Sequence, residues 1–263
     1  MRAALRQARK GLGRTSPNPA VGAVIVRNGK IIASGYHKRA GSNHAEVEVL
    51  AKIGGKGKKN DTLYVTLEPC NHHGRTPPCT EAILGSGIKK LVVGTKDPNP
   101  KVSGGGCELL AEQGVEVRTG ILEAQCRRLN ETFLKFATTG RPFVVAKSAL
   151  TMDGWSATAT GHSRWVTNEQ SRQFVHRLRD RLDGVLVGVG TVLADNPVLT
   201  TRLKRGVGRD PVRIIVDTDL RIPDEAKVLN SDSSALTLVA VGPDVPPQRL
   251  RKTERNGVMI LTC

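Results

Sequence analysis

The sequence predicts an α/β protein of two domains, and three observations predict it. Helical and strand periodicities alternate through the first 140 residues. The alternation stops at Thr138-Thr139-Gly140-Arg141-Pro142, where glycine and proline mark a hinge. A further series of apolar strands begins beyond it, in a chain whose 263 residues exceed the usual size of one domain. The expected domains are residues 1–140, a three-layer α/β unit, and residues 143–263, a second α/β unit.

Each element has a local cause. Residues 2–12 carry apolar positions at helical spacing, and residues 21–26 and 30–35 are strands joined at Asn28-Gly29, a strong hairpin turn. A helix starts beside His44, with Asn43 as its cap and Val47, Val49 and Leu50 as the apolar run behind it. Strand 63–67 follows, and Pro78 opens another helix through Glu81-Ala82-Ile83-Leu84. Strand 90–94, a helix near 108–113, strand 115–118 and one long helix over 122–137 complete the first domain. Past the hinge, Phe143-Val144-Val145-Ala146-Lys147 reads as a strand and 168–181 as a helix. Residues 184–189, 212–216, 236–241 and 258–261 read as further strands.

Composition narrows the function. A hydrophobic content of 38% is enough for two cores, and no apolar run approaches the ~18 residues of a membrane span. Arg2, Arg6, Arg9 and Lys10 interrupt any signal-like segment, so the cytoplasm is the expected location. The net charge of +16 raises nucleic acid as a partner. An aromatic content of 3% is too small for a base-stacking platform, and the basic residues are spread along the chain. No nucleic acid and no membrane are expected as partners; a small anionic molecule and self-association into a homo-oligomer are. Cys107, Cys126 and Cys263 form no disulfide framework and read as free thiols.

The chemistry is concentrated in His44-Ala45-Glu46, Pro69-Cys70 and Cys79. One histidine and two cysteines are a catalytic zinc set, three protein ligands with a fourth position left for water, whose pKa the metal brings to about 7. Glu46 is then a proton shuttle outside the metal shell, the arrangement of zinc nucleobase deaminases. Residues two apart on a helix point about 200° apart, so His44 and Glu46 converge only over the helix's first turn. A closed structural site completed by His72 or His73 is the competing reading, and Glu46 speaks against it, having no use there. Eight residues, from Asn71 to Pro78, separate the two cysteines and make a loop tethered at both ends to the metal, a specificity loop.

The run Pro69-Cys70-Asn71-His72-His73-Gly74-Arg75-Thr76-Pro77-Pro78-Cys79 resembles the bifunctional deaminase/reductase family of riboflavin biosynthesis. So do Ser16-Pro17-Asn18-Pro19-Ala20-Val21-Gly22 upstream and Asp97-Pro98-Asn99-Pro100 downstream. The resemblance implies a cytidine-deaminase-like first domain acting on 2,5-diamino-6-ribosylamino-4(3H)-pyrimidinone 5′-phosphate. It puts Asn18, His37, His72 and Arg75 around that substrate. Arg75 suits a phosphate, and the other three offer hydrogen bonds to a heterocycle.

In the second half, Val185-Leu186-Val187-Gly188-Val189-Gly190-Thr191 is a strand running into a helix start; it lacks the third glycine of a Rossmann fingerprint. Lys147-Ser148-Ala149, Met152-Asp153-Gly154, Ser163-Arg164-Trp165-Val166-Thr167 and the run from Gly188 to Pro197 resemble the reductase half of the same family. That implies a dihydrofolate-reductase-like fold using NADPH, with Ala149, Trp165, Thr191, Asp195 and Thr218 at the cofactor. Ser163, Arg179, Leu199 and Arg202 fall on the substrate side, the two arginines suiting a 5′-phosphate. Family members continue past the position of Cys263 with a glycine-rich segment over the NADPH phosphates. The second domain is therefore expected to be incomplete and to reduce poorly, which leaves a deaminase with a scaffold domain as the alternative.

Overall fold

The Asn28-Gly29 signal forms the hairpin it predicts: β1 (Gly22–Arg27) and β2 (Lys30–Tyr36) pair antiparallel, with Asn28 and Gly29 at φ 48° and 76°. Positive φ at both turn residues matches the twist of the flanking strands, and glycine adopts it without a Cβ clash. β1 also pairs antiparallel with β3 (Asp61–Leu67), which runs parallel to β4 (Lys90–Thr95), itself parallel to β5 (Glu116–Arg118). The first sheet is ordered β2-β1-β3-β4-β5. The computed structural model describes residues 1–74, 76–99, 105–255 and 257–263, in two compact units, Met1–Ala146 and Lys147–Cys263.

Helices cover both faces of the first sheet. α1 (Arg2–Ala8) buries Ala4, Leu5 and Ala8 on one face. On the other, α2 (Ala45–Lys52), α3 (Cys79–Ser86) and α4 (Gly106–Glu112) supply Val49, Leu50, Ile83 and Leu110 to a core with Ile25, Leu63, Val65, Leu91 and Val93 of the strands. Each such side chain stabilises the unit by about 1.5–3 kcal/mol once buried.

The expected helix over 122–137 is two helices, α5 (Glu123–Leu129) and α6 (Glu131–Thr139), separated at Asn130. The cause is tertiary. Asn130 is buried, its Oδ1 accepting the Ala20 main-chain N–H at 2.8 Å and its Nδ2 donating to the Ala20 carbonyl at 3.0 Å. The α2 cap also differs: His44 takes the N-cap position, and the Asn43 carbonyl is engaged by His37 instead.

At the start of β3, Asp61 is fully buried, accepting from Arg27 Nε and Nη2 at 2.7 and 2.8 Å and from the Lys58 N–H at 2.8 Å. The Arg27 guanidinium holds the Asp61 carboxyl below its ordinary pKa. A depressed carboxyl contributes stability above its unfolded pKa of about 3.9 and loses it as pH falls through the folded value. Asp61→Asn is expected to destabilise the first unit at pH 7. The gap to the unsubstituted chain should then narrow below about pH 4, as urea unfolding at a series of pH values would show. A gap independent of pH would contradict the assignment.

The second unit carries a parallel sheet in sequence order: β6 (Gly184–Gly188), β7 (Val212–Val216), β8 (Thr237–Val241) and β9 (Val258–Thr262). α7 (Glu169–Arg179) precedes it, capped by the Asn168 side chain, which accepts the Ser171 N–H at 2.9 Å. α8 (Val189–Asp195) and α9 (Pro247–Thr253) follow β6 and β8. One sheet face is buried, with Ile215, Val239 and Val258 against Val189 and Val192 of α8; the opposite face presents Leu186, Val216, Met259 and Leu261 exposed. Residues 143–147 form no strand, contrary to the β-rich composition of the run. A strand needs a neighbour for its N–H and C=O groups, and among the described residues none pairs with this run. No helix among the described residues is long and apolar enough to cross a membrane.

Candidate active site

The parallel strands of the first sheet end where α2 and α3 begin, and the ligand set assembles there. His44 sits at the α2 N-cap and Cys79 opens α3, while Cys70 lies three residues past the end of β3. His44 Nδ1 is 3.2 Å from Cys79 Sγ and 3.5 Å from Cys70 Sγ, and all three ligand atoms lie within 4.8 Å of one another. A tetrahedral zinc, with Zn–S of about 2.3 Å and Zn–N of about 2.0 Å, needs N···S and S···S separations of about 3.5 and 3.8 Å. The three residues fit the metal. No fourth histidine, cysteine or carboxylate joins them among the described residues, and His73 is turned outward to Glu81 at 3.1 Å.

Protonation follows from the same contacts. The Cys79 thiol and the His44 ring pull the Cys70 thiol down to about 4. Cys79 moves upward, as the proton donor of the pair and through burial. A metal ion held by His44, Cys70 and Cys79 would replace the shared proton and let both sulfurs act as thiolates. Glu46, in the first turn of α2, is 3% exposed and engages Cys79; burial pushes its carboxyl up to about 7. The first turn is where a residue two beyond His44 can reach the same pocket.

Asn18 and His37 extend the site. His37 Nδ1 meets the Asn43 carbonyl at 3.0 Å and must donate to it, so Nε2 is the acceptor for Asn18 Nδ2, also at 3.0 Å. The buried His37 ring is held below its ordinary pKa by desolvation and meets the His44 ring edge-on, centroids 5.2 Å apart. His72 is exposed in the tethered loop, and its ring acts on the Asp97 carboxyl, which burial raises. Arg75 lies outside the described residues.

In the second unit the candidate residues form two groups. Ser163 and Trp165 line an open cleft of about 640 Å³ with Thr151, Asp153 and Trp155. Arg164 Nη2 donates to the Asp195 carbonyl at 3.0 Å, bringing α8, with Thr191 one turn earlier, beside that segment. The Arg172 guanidinium lies 4.5 Å from the Trp165 ring centre. Arg179 and Arg202 converge on Thr200, donating to its carbonyl and to its hydroxyl, each at 3.2 Å; Leu199, buried at φ 60°, precedes it. Burial and the Arg202 charge lower the Arg179 pKa. Ala149 and Thr218 are tied to neither group by a hydrogen bond among the described residues; the Thr218 carbonyl accepts the Gly242 N–H at 2.9 Å at the end of β7.

Sequence reasoning missed Glu68 and Asn130. Both are buried polar side chains bonded to main-chain groups of distant segments, and neither carries a motif of its own.

Residues 1–95 match the family model for the cytidine and deoxycytidylate deaminase zinc-binding region, and residues 142–261 match the RibD C-terminal domain. Riboflavin biosynthesis protein RibD of Aquifex aeolicus (strain VF5) is 48% identical over 261 residues, covering 99% of this chain and 72% of that protein. RibD of Bacillus amyloliquefaciens is 48% identical over 267 residues, covering 100% and 70%. The crystal structure of a Thermotoga maritima diaminohydroxyphosphoribosylaminopyrimidine deaminase/5-amino-6-(5-phosphoribosylamino)uracil reductase aligns at 41% identity with a TM-score of 0.84, over 100% of this chain and 79% of that one. Acinetobacter baumannii RibD aligns at 39% identity with a TM-score of 0.87, over 100% and 72%. A deaminase-like unit is thus followed by a dihydrofolate-reductase-like one, the fold class expected from the sequence. With both domain models matched in that order and near-half identity along the whole chain, this protein belongs to the RibD family of riboflavin biosynthesis proteins.

Proposed function

We propose that residues 1–140 are a zinc-dependent hydrolytic deaminase of 2,5-diamino-6-ribosylamino-4(3H)-pyrimidinone 5′-phosphate. Residues 143–263 are an NADPH-dependent reductase that converts the ribosyl group of the deaminated product to a ribityl chain. The observation that carries the reading is the triad His44, Cys70 and Cys79, three ligand atoms within 4.8 Å, with the buried Glu46 beside it.

When bound, zinc supplies a Lewis acid that makes water nucleophilic at neutral pH. Glu46, with a pKa of about 7, takes one proton from the attacking water and delivers it to the ring nitrogen, then takes the second from the newly attached hydroxyl and delivers it to the amino group that leaves as ammonia. Asn18, oriented by His37, presents its remaining carboxamide groups to the heterocycle, and His72 and Arg75 bind from the tethered loop. In the second unit Ala149, Trp165, Thr191, Asp195 and Thr218 hold NADPH, which supplies a hydride to C1′. Ser163, Leu199, Arg179 and Arg202 hold the substrate, the paired arginines on its phosphate. The cleft at Ser163 and Trp165 has the size of a ligand site and an aromatic wall, which fits a cofactor ring. A homo-oligomer belongs to the same proposal, supported by the exposed apolar face of a parallel sheet, a kind of sheet ordinarily covered on both sides.

Zinc-loaded protein should release ammonia from the free pyrimidine nucleotide and not from single-stranded RNA or DNA, in a coupled ammonia assay. Arg75→Ala should raise KM for the phosphorylated substrate about tenfold. Comparable turnover of polynucleotides would overturn the small-molecule reading.

A further inference from the structure

We propose that Glu68 is a positioning residue for the metal site: it clasps the end of β3 to the Asp97 turn and to the first turn of α4, fixing the main chain from which Cys70 reaches the metal. The inference rests on the reading of His44, Cys70 and Cys79 as zinc ligands.

Glu68 is 7% exposed, and both carboxylate oxygens are used on main-chain donors of other segments. Oε2 accepts the Asp97 N–H and Oε1 the Cys107 N–H, each at 3.0 Å, while the Glu68 N–H donates to the Thr95 carbonyl at 2.9 Å. α4 starts after Gly105, which has no side chain with which to cap it. The first N–H groups of a helix have no partner within it, and here an acidic side chain from a strand supplies one. The contact is close: a Cβ on Gly106 would fall 2.0 Å from the Pro69 carbonyl oxygen, so only glycine lets α4 lie flush on Glu68-Pro69-Cys70.

The consequence concerns Cys70. Past Leu67, the last residue of β3 to pair with β4, the chain leaves the sheet ladder, and Pro69 has no N–H to give. From the α3 side, Cys70 is held by the Thr80 N–H on its carbonyl and the Cys79 N–H on its sulfur, each at 3.3 Å. From the other side the restraint comes through Glu68. Metal affinity depends on ligands held in place by such outlying bonds, and losing one costs about 10–100-fold.

The test is zinc transfer from the full chain to a chelating dye, at a temperature where every variant is folded. Glu68→Gln keeps the size but turns a donor NH2 toward an N–H, and should release zinc ~10-fold faster or more than the unsubstituted chain. Asp61→Asn, at the opposite end of β3, is the control for lost stability and should release zinc within about twofold of the unsubstituted rate. Equal release by the two variants at matched loss of melting temperature would make Glu68 a general stabiliser and overturn the proposal. If Glu68→Gln does not fold, Glu68→Asp, one methylene too short to serve both amides, takes its place with an intermediate rate expected; an unchanged rate overturns the proposal. An unsubstituted chain that binds no zinc would instead fail the metal reading itself.

Discussion

Glu46→Gln should hold one zinc per chain, as the unsubstituted protein does, and release ammonia from the nucleotide ~10³-fold more slowly. Glu46 is outside the group of ligand atoms, so its carboxyl is not needed for the metal. It lies in the first turn of α2, buried, with desolvation raising its pKa to about 7, where a carboxyl both accepts and returns a proton at neutral pH. Glutamine keeps the shape and hydrogen bonding but carries no exchangeable acid. The loss should fall on kcat, because the proton transfers belong to the transition state. Metal analysis beside the ammonia assay decides it. A variant that arrives without zinc would make Glu46 a ligand, and one with near-normal turnover would remove it from the proton path.

Asn130→Ala should destabilise the first unit by about 3 kcal/mol, with little change at the zinc ligands. Its carboxamide satisfies both the N–H and the C=O of Ala20, in a place where neither residue is exposed by more than 3%. Truncation leaves a donor and an acceptor buried without partners, each costing about 1–3 kcal/mol. Asn130→Asp should be no better at pH 7, since it sets a second acceptor against the Ala20 carbonyl. Asn18 is two residues from Ala20, so KM should rise in the folded variant as that segment loosens. Urea unfolding with a parallel KM measurement checks both effects. An unchanged midpoint would mean that the two hydrogen bonds carry no net stability.

The grouping of His44, Cys70 and Cys79, with Glu46 beside it, was legible because metal and acid–base chemistry restrict residue type so severely that type and order suffice. The β1–β2 hairpin was legible for a similar reason, two consecutive positive φ angles at Asn28-Gly29. Asn130 was not. In the sequence it is one polar residue inside a helical pattern, and its role depends on Ala20, 110 positions away. Glu68 was hidden in the same manner, just past a strand end, where its partners in the Asp97 turn and α4 lie 29 and 39 positions away. Residues 143–147 show the converse. Their composition is that of a strand, but pairing is decided by a neighbour that composition does not reveal. In the second unit the sequence pointed to Ser163 and Trp165 through motif likeness alone; the stacking of Arg172 on Trp165 had no signal.

The Asn130–Ala20 bond also sets an order of events during synthesis. Every zinc ligand has been made once residue 79 is in place, whereas the side chain that fixes Ala20 comes 51 residues later, a delay of roughly 3–10 s at ribosomal rates of about 5–20 residues per second. For that interval the nascent chain carries His44, Cys70 and Cys79 while the Ala20 segment is unsecured. The residues of the metal-binding set are thus in the chain before the residue that secures Ala20, and the Asn130–Ala20 contact spans 110 positions where His44 and Cys79 are 35 apart.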